Sequence, residues 1–342
     1  VTGPPEDLDF LAARTHARYA LRAERLGLEA LARHRTLEAL WRAVLPAAEP
    51  SNARELQRRL ALEWLDELEE LARGLDAPRA RLLDALCGRV GDEDRRTLVR
   101  GIAAQVPAAA LQAELLRPQL APRLDLLRSV EDVVPPSRPA PDPALLGRRH
   151  AAAFPPAALP RPYALELLLE QRRLQRLLAA LGGLGHGDRT EVRAVVHQEV
   201  DQFHLGLVAR CHFALGLPAE ALLPWHVPGA AIDLPRLAAM LSAPTLATSA
   251  TMARGRALDE LPPPQQLDAR ALDRAAWRRY LRLASRTFRR GGMRFAALVG
   301  YAALRRVEVM DLGTISEGVR LLLPADVIGA CTLAHAAEVL RA

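Results

Sequence analysis

Lysine is entirely missing from this 342-residue sequence, so all 46 of its basic residues are arginine. Without lysine the chain has no phosphate-loop amine, no Schiff-base amine and no kinase-type lysine, and those chemistries are excluded. Aromatic residues make up only 4% of the chain and β-branched residues are scarce, and no alternating run reads as a strand. The three cysteines, Cys87, Cys211 and Cys331, lie more than a hundred residues apart and form no CxxC pair. They suit a reducing compartment and buried small side chains better than a disulfide framework. The seven serines have no GxSxG context, and no Ser, Cys or His arrangement supports a nucleophilic triad. No apolar run approaches the ~18–20 residues needed to span a bilayer. The longest, Phe295 to Leu304, reads as a core helix segment. The opening VTGPPEDLDF is acidic and lacks a charged segment followed by an apolar one, so no signal peptide is expected and a cytoplasmic protein is.

What is abundant points one way. Half the residues are apolar, and Leu, Ala, Arg and Glu, all strong helix formers, dominate. The expected fold class is all-α. A chain of this length buries roughly three quarters of its unfolded surface and suggests two or three domains. The formal net charge of +6, from 46 basic against 40 acidic residues, is a mild excess. A dedicated nucleic-acid binder concentrates its charge more strongly.

Apolar periodicity predicts helices over about 8–31 and 37–45, then one entered at Ser51 or Asn52. Leu56, Leu60, Trp64, Leu68, Leu71 and Leu75 form one apolar stripe on that helix, which Gly74 and Pro78 close. Shorter helices are expected over 78–86, 92–105 and 107–127, the last opening on a proline. Nine prolines between Pro135 and Pro162 mark a linker, with one short helix expected inside it near 144–154. Helices are then predicted over 163–181, 190–215, 268–289, 294–309, 312–321 and from 324, with a softer boundary at 244–264. The chain thus divides into residues 1–134, the linker 135–162, then 163–245 and 246–342. Each helical block pairs a long amphipathic helix with one carrying an acid, Asp92, Asp201 or Glu308, 109 (201 − 92) and 107 (308 − 201) residues apart. That period suggests three similar lobes rather than a short-repeat solenoid.

Three constellations invite a functional reading. His197, Asp201 and His204 share one helical face, with Glu199 and His212 nearby, and Asp201-x-x-His204 has the spacing used in di-iron bundles. No second Glu-x-x-His is present, so helix-packing residues are the first expectation and a helical metalloenzyme the alternative. Gly182-Gly183-Leu184-Gly185-His186-Gly187 follows a helix and does not match GxGxxG, so it reads as a helix–helix turn rather than a phosphate cradle. Arg274, Arg278, Arg282, Arg286 and Arg290 recur every four residues. That stripe is either a solvated face or a contact for an acidic protein surface, with lipid headgroups or nucleic acid as the further alternative.

Several segments resemble one family in order and spacing. They are Phe10-Leu11-Ala12-Ala13-Arg14 with Arg18, Glu166-Leu167-Leu168-Leu169-Glu170, and Leu222-Leu223-Pro224-Trp225-His226-Val227-Pro228-Gly229. Each block also carries an acid followed, in the family pattern, by Asn-Leu three and four positions later. Here these are Asp201 with His204 and Leu205, Glu308 with Asp311 and Leu312, and, most loosely, Asp92 with Arg95 and Arg96. Together they resemble the C subunit of V/A-type rotary ATPases, equivalent to the eukaryotic d subunit, in a divergent form lacking the Asn. The resemblance implies three pseudo-symmetric helical lobes forming a funnel-like adaptor. It implies a non-catalytic central-stalk role without a cofactor, between the central shaft and the membrane rotor ring, peripheral to the inner face of the cell membrane. Residues i and i+3 share a helical face, so such an acid and amide would fasten neighbouring helices while Leu packs beneath.

Overall fold

Helix after helix begins on a side chain that takes over a backbone N–H left without an intrahelical partner. Asp7 accepts from the Asp9 N–H, Thr36 from Ala39, Asn52 from Glu55, Asp233 from Arg236 and Thr245 from Thr248. The computed structural model describes residues 7–21, 27–45, 52–117, 161–261 and 263–334. Among them the regular structure is helical, without strands beyond one isolated bridge between Arg254 and Leu258. The fold is all-α.

The α-helices in chain order are α1 (Leu8–Ala20), α2 (Leu28–Ala32), α3 (Leu37–Val44), α4 (Ala53–Arg73), α5 (Ala77–Ala103) and α6 (Ala108–Glu114). After them come α7 (Arg161–Gly182), α8 (His186–Gly206), α9 (Ala219–Leu222), α10 (Leu234–Leu241), α11 (Leu246–Ala253), α12 (Ala269–Gly291), α13 (Phe295–Arg320) and α14 (Ala325–Cys331). A π-helix, Leu207–Ala214, continues α8. Among the described residues, no helix is long and apolar enough to cross a membrane.

Two compact units divide the chain. The first takes residues 1–87, 180–196 and 277–342, the second 88–179 and 197–276, so the division falls inside α5, α7, α8 and α12. In the first unit α4 lies along α13: the stripe Leu56, Leu60, Trp64, Leu68 and Leu71 is buried, and the Trp64 indole donates to the Ala302 carbonyl at 3.2 Å. Glycines let backbones meet there. A Cβ on Gly300 would stand 2.4 Å from the Phe288 nitrogen, and one on Gly291 2.3 Å from the Ala297 nitrogen. The second unit is centred on Leu98, Val99, Leu205, Val208, Trp225 and Leu272, all buried.

Two predicted breaks are absent. The helices expected at 78–86 and 92–105 are one helix, α5, which runs through Gly88 and Gly91. Each mid-helix glycine costs about 1 kcal/mol, and the buried face of Leu82, Leu83, Leu86, Val90, Leu98 and Val99 outweighs it. Likewise α13 continues past Val309, where an end was expected. The polar residue that interrupts its apolar pattern, Asp311, is buried with both carboxylate oxygens paired, so it belongs inside the helix. The helix expected at 107–127 is α6, ending at Glu114, and its residues 118–127 lie outside the described residues. So do the short helix at 144–154, the linker up to Pro160 and the chain between Leu21 and Gly27 where α1 was expected to continue.

Candidate functional site

A single device recurs three times along the chain. At the end of α13, Asp311 accepts from the backbone N–H groups of Leu333 (2.7 Å) and Ala334 (3.1 Å). The helix closes on Leu322 at φ 55°, with the Leu323 N–H returning to the Gly318 carbonyl at 3.0 Å. That is the six-to-one bond of a Schellman cap. Pro324 then opens the short helix α14, whose Ile328 turns back onto the helix at Gly318. The chain around α5 and α6 repeats every part 217 residues earlier (311 − 94). Asp94 accepts from Leu116 (2.6 Å) and Arg117 (3.0 Å). Gln105 holds φ 55°, Val106 returns to the Gly101 carbonyl at 2.9 Å, Pro107 opens α6, and Leu111 packs on Gly101.

The second copy carries one residue more. Gly216 is the cap at φ 70°, Leu217 returns to the Cys211 carbonyl at 3.0 Å, and Pro218 opens α9. Pro218 lies 111 residues after Pro107 (218 − 107), whereas His204 lies 110 after Asp94 (204 − 94). The extra residue is absorbed in the π-helix 207–214, the usual consequence of a single insertion into a helix. The latch is then made by an imidazole: His204 Nε2 accepts the Val227 N–H at 3.0 Å. One turn earlier Asp201 accepts from Ile232 (2.8 Å) and Ala231 (3.3 Å), fastening the same return.

This geometry sets a register. His204 and Asp311 occupy one place in the repeat, and in the first copy the latching residue is Asp94, two residues after Asp92. The sequence does carry a signal for it: Val106-Pro107-Ala108, Leu217-Pro218-Ala219 and Leu323-Pro324-Ala325 are an apolar residue, proline and alanine at matching places. Leu205 and Leu312, which follow the latches, are both buried.

Asp92, Glu199 and Glu308, the other acids picked out near the latches, are ion-paired instead. Asp92 is fully buried and meets Arg95 (2.5 Å) and Arg176 (3.2 Å). Glu199 meets Arg173, which also holds Glu170; Arg96 pairs with Glu170 too, and Arg100 with Glu166. Burial works against a charged Glu170, but Arg173, Arg89 and Arg96 outweigh it and hold that carboxyl well below the ordinary range. In the first unit Arg305 joins Glu308 to Glu67, and the Tyr301 hydroxyl donates to Glu67 at 2.9 Å. Arg18, Glu63, Glu67, Tyr301 and Arg305 line a cavity of about 220 Å³ beside them, where burial pushes the Glu63 carboxyl upward.

The remaining candidates fare differently. Among the described residues no group of three His, Cys, Asp or Glu side chains is set to hold a metal. The atoms that Asp201 and His204 would offer already take backbone N–H groups. His197, on the same helix, is half-buried. In the arginine stripe only Arg286 and Arg290 are exposed; Arg274, Arg278 and Arg282 are half-buried on α12. Of the glycine cluster, Gly183, Leu184 and Gly185 form the turn between α7 and α8, while Gly182 ends α7 and His186 and Gly187 open α8.

The helical scaffold thus repeats one helix–turn–helix return, and its buried charges join neighbouring helices. Its sequence matches the family model described as ATP synthase (C/AC39) subunit over residues 23–331. The chain belongs to that family and is a V/A-type ATPase subunit. No curated protein matches it.

Proposed function

We propose that this chain is the non-catalytic central-stalk subunit that couples the central shaft of a V/A-type rotary ATPase to its membrane rotor ring. The observation that carries the reading is the family match over residues 23–331. In this reading residues 1–134, 163–245 and 246–342 are three lobes of a funnel, with 135–162 as linker. The shaft enters the funnel and the ring carries its outer face, so membrane association is peripheral and through the complex. Torque transmission needs helices that do not shear. Buried ion pairs such as Arg173–Glu199 and backbone-close contacts such as Gly300–Phe288 support that requirement, because close-packed interiors transmit strain instead of absorbing it. Arg286 and Arg290, exposed at the end of α12, are the candidate contacts for an acidic partner surface.

The test is association of the purified chain with a recombinant central-shaft subcomplex from the same organism, by size-exclusion chromatography with light scattering. A one-to-one complex, weakened by Arg286→Glu with Arg290→Glu, is the expected result. No association across a range of salt, with both partners folded, would overturn the coupling role.

A further inference from the structure

Two of the three latches are carboxylates and one is an imidazole, and this difference has a chemical consequence. A ring nitrogen that accepts a backbone N–H must be unprotonated, since a protonated imidazole has only donors. His204 Nε2 is that acceptor, so the ring proton sits on Nδ1, which is buried and has no hydrogen-bond partner. The His204 side chain is 0% exposed and stacks on the His226 ring, centroids 4.8 Å apart and planes 10° from parallel. The segment it holds, Pro224 to Ile232, has other ties. Gln171 of α7 donates to the Pro224 carbonyl (3.1 Å), His226 Nε2 donates to the Ile232 carbonyl (3.1 Å), and Asp201 takes the Ala231 and Ile232 N–H groups. Among the described residues, the ionisable group acting on His204 is His226 on the segment, and Asp201, one turn earlier on the same helix, has its oxygens so engaged. Beyond them Arg236 of α10 donates to the Ala231 carbonyl at 3.3 Å. A proton added to His204 would set donor against donor at Val227 and a charge beside the stacked ring.

We propose that His204 makes the second return a proton-released latch: mild acid opens the Pro224–Ile232 segment while the Asp94 and Asp311 latches stay shut. Burial and then His226 push the His204 pKa down to about 3 in the closed form. In an opened segment an imidazole titrates near 6.5. Opening therefore takes up a proton, and below about pH 6.5 each further unit of acidity favours it nearly tenfold. From pH 7.5 to 5.0 the opening equilibrium rises about 30-fold. An aspartate in an opened segment protonates only near pH 4, so the other two returns should barely respond over that range.

Hydrogen–deuterium exchange of the full chain at pH 7.5 and 5.0, corrected for intrinsic rates, tests this. Protection at 225–232 should fall about 30-fold while 111–117 and 328–334 hold theirs. In His204→Asn the amide oxygen still accepts the Val227 N–H but does not titrate, so the pH dependence should vanish. Equal behaviour of all three segments, whether unchanged or lost together in global unfolding, would overturn the proposal. So would an undiminished response in His204→Asn. Should that variant not fold, the comparison of segments in the wild-type chain decides alone.

Discussion

Arg173 on α7 donates to Glu199 on α8 at 2.9 Å, and each of the two side chains is 1% exposed. With Glu170 on the other side of the guanidinium and Arg96 on Glu170 in turn, the ion pair is part of a buried network whose members compensate one another's desolvation.

Removing the Arg173 guanidinium takes the shared cation from Glu199 and Glu170, while Arg96 stays on Glu170. Arg173→Met is expected to cost about 3–5 kcal/mol, the usual penalty for an uncompensated buried charge. Urea unfolding of the variant should show a lower midpoint at an unchanged slope. A loss below about 1 kcal/mol would mean that the network is wet and screened.

The same network sets an acid limit. The Glu170 carboxyl is held low in the folded chain, against 4.5 when unperturbed. A depressed carboxyl gives stability that is fully present above about pH 4.5 and is lost as pH falls below it, because the unfolded chain then binds the proton first. Unfolding free energy measured from pH 6 to 3 should fall with this slope, and Glu170→Gln should fall less steeply.

Two Schellman caps carry side chains where φ is positive. Leu322 and Gln105 both sit at φ 55°, and Leu322 is 79% exposed, so its side chain contributes little packing. A left-handed conformation costs a branched or long residue about 1 kcal/mol that glycine does not pay. Leu322→Gly and Gln105→Gly should each raise stability by roughly 0.5–1 kcal/mol in thermal unfolding, and Gly216→Ala should lower it by a similar amount.

Glycine contacts should rank by what they meet. A Cβ on Gly300 would strike backbone at Phe288, whereas one on Gly101 would strike the end of the Leu111 side chain, 1.9 Å away. Backbone cannot rotate aside, so Gly300→Ala should cost more than about 3 kcal/mol and Gly101→Ala about 1–2. Differential scanning calorimetry of the pair gives the order; a reversal would mean that α12 shifts along α13 to make room.

Much of this architecture is legible in the residues. The apolar stripe of α4, its Asn52 cap and the glycine turn before α8 all follow from local spacing and capping chemistry. The unbroken course of α5 and α13 was not legible, because glycines and buried acids look like interruptions until the surfaces that outweigh them are in place. The latch in the first copy was missed for a related reason. Asp92 and Asp94 are two residues apart and both acidic, and only the partners distinguish them: guanidinium groups for one, the returning N–H groups of Leu116 and Arg117 for the other.

The sequence by itself determined that the chain is helical, where an apolar residue, proline and alanine restart it, and that no lysine chemistry is available to it. Those properties are local: propensity, capping and a fixed φ at proline act within a turn or two. Tertiary structure decided which carboxylate latches, which arginines leave the α12 surface, and that an extra residue after His204 is taken up as π-helix without losing the return. A side chain's role there depends on a group roughly 20–30 residues away in sequence and about 3 Å away in space, a distance that periodicity along one helix does not encode.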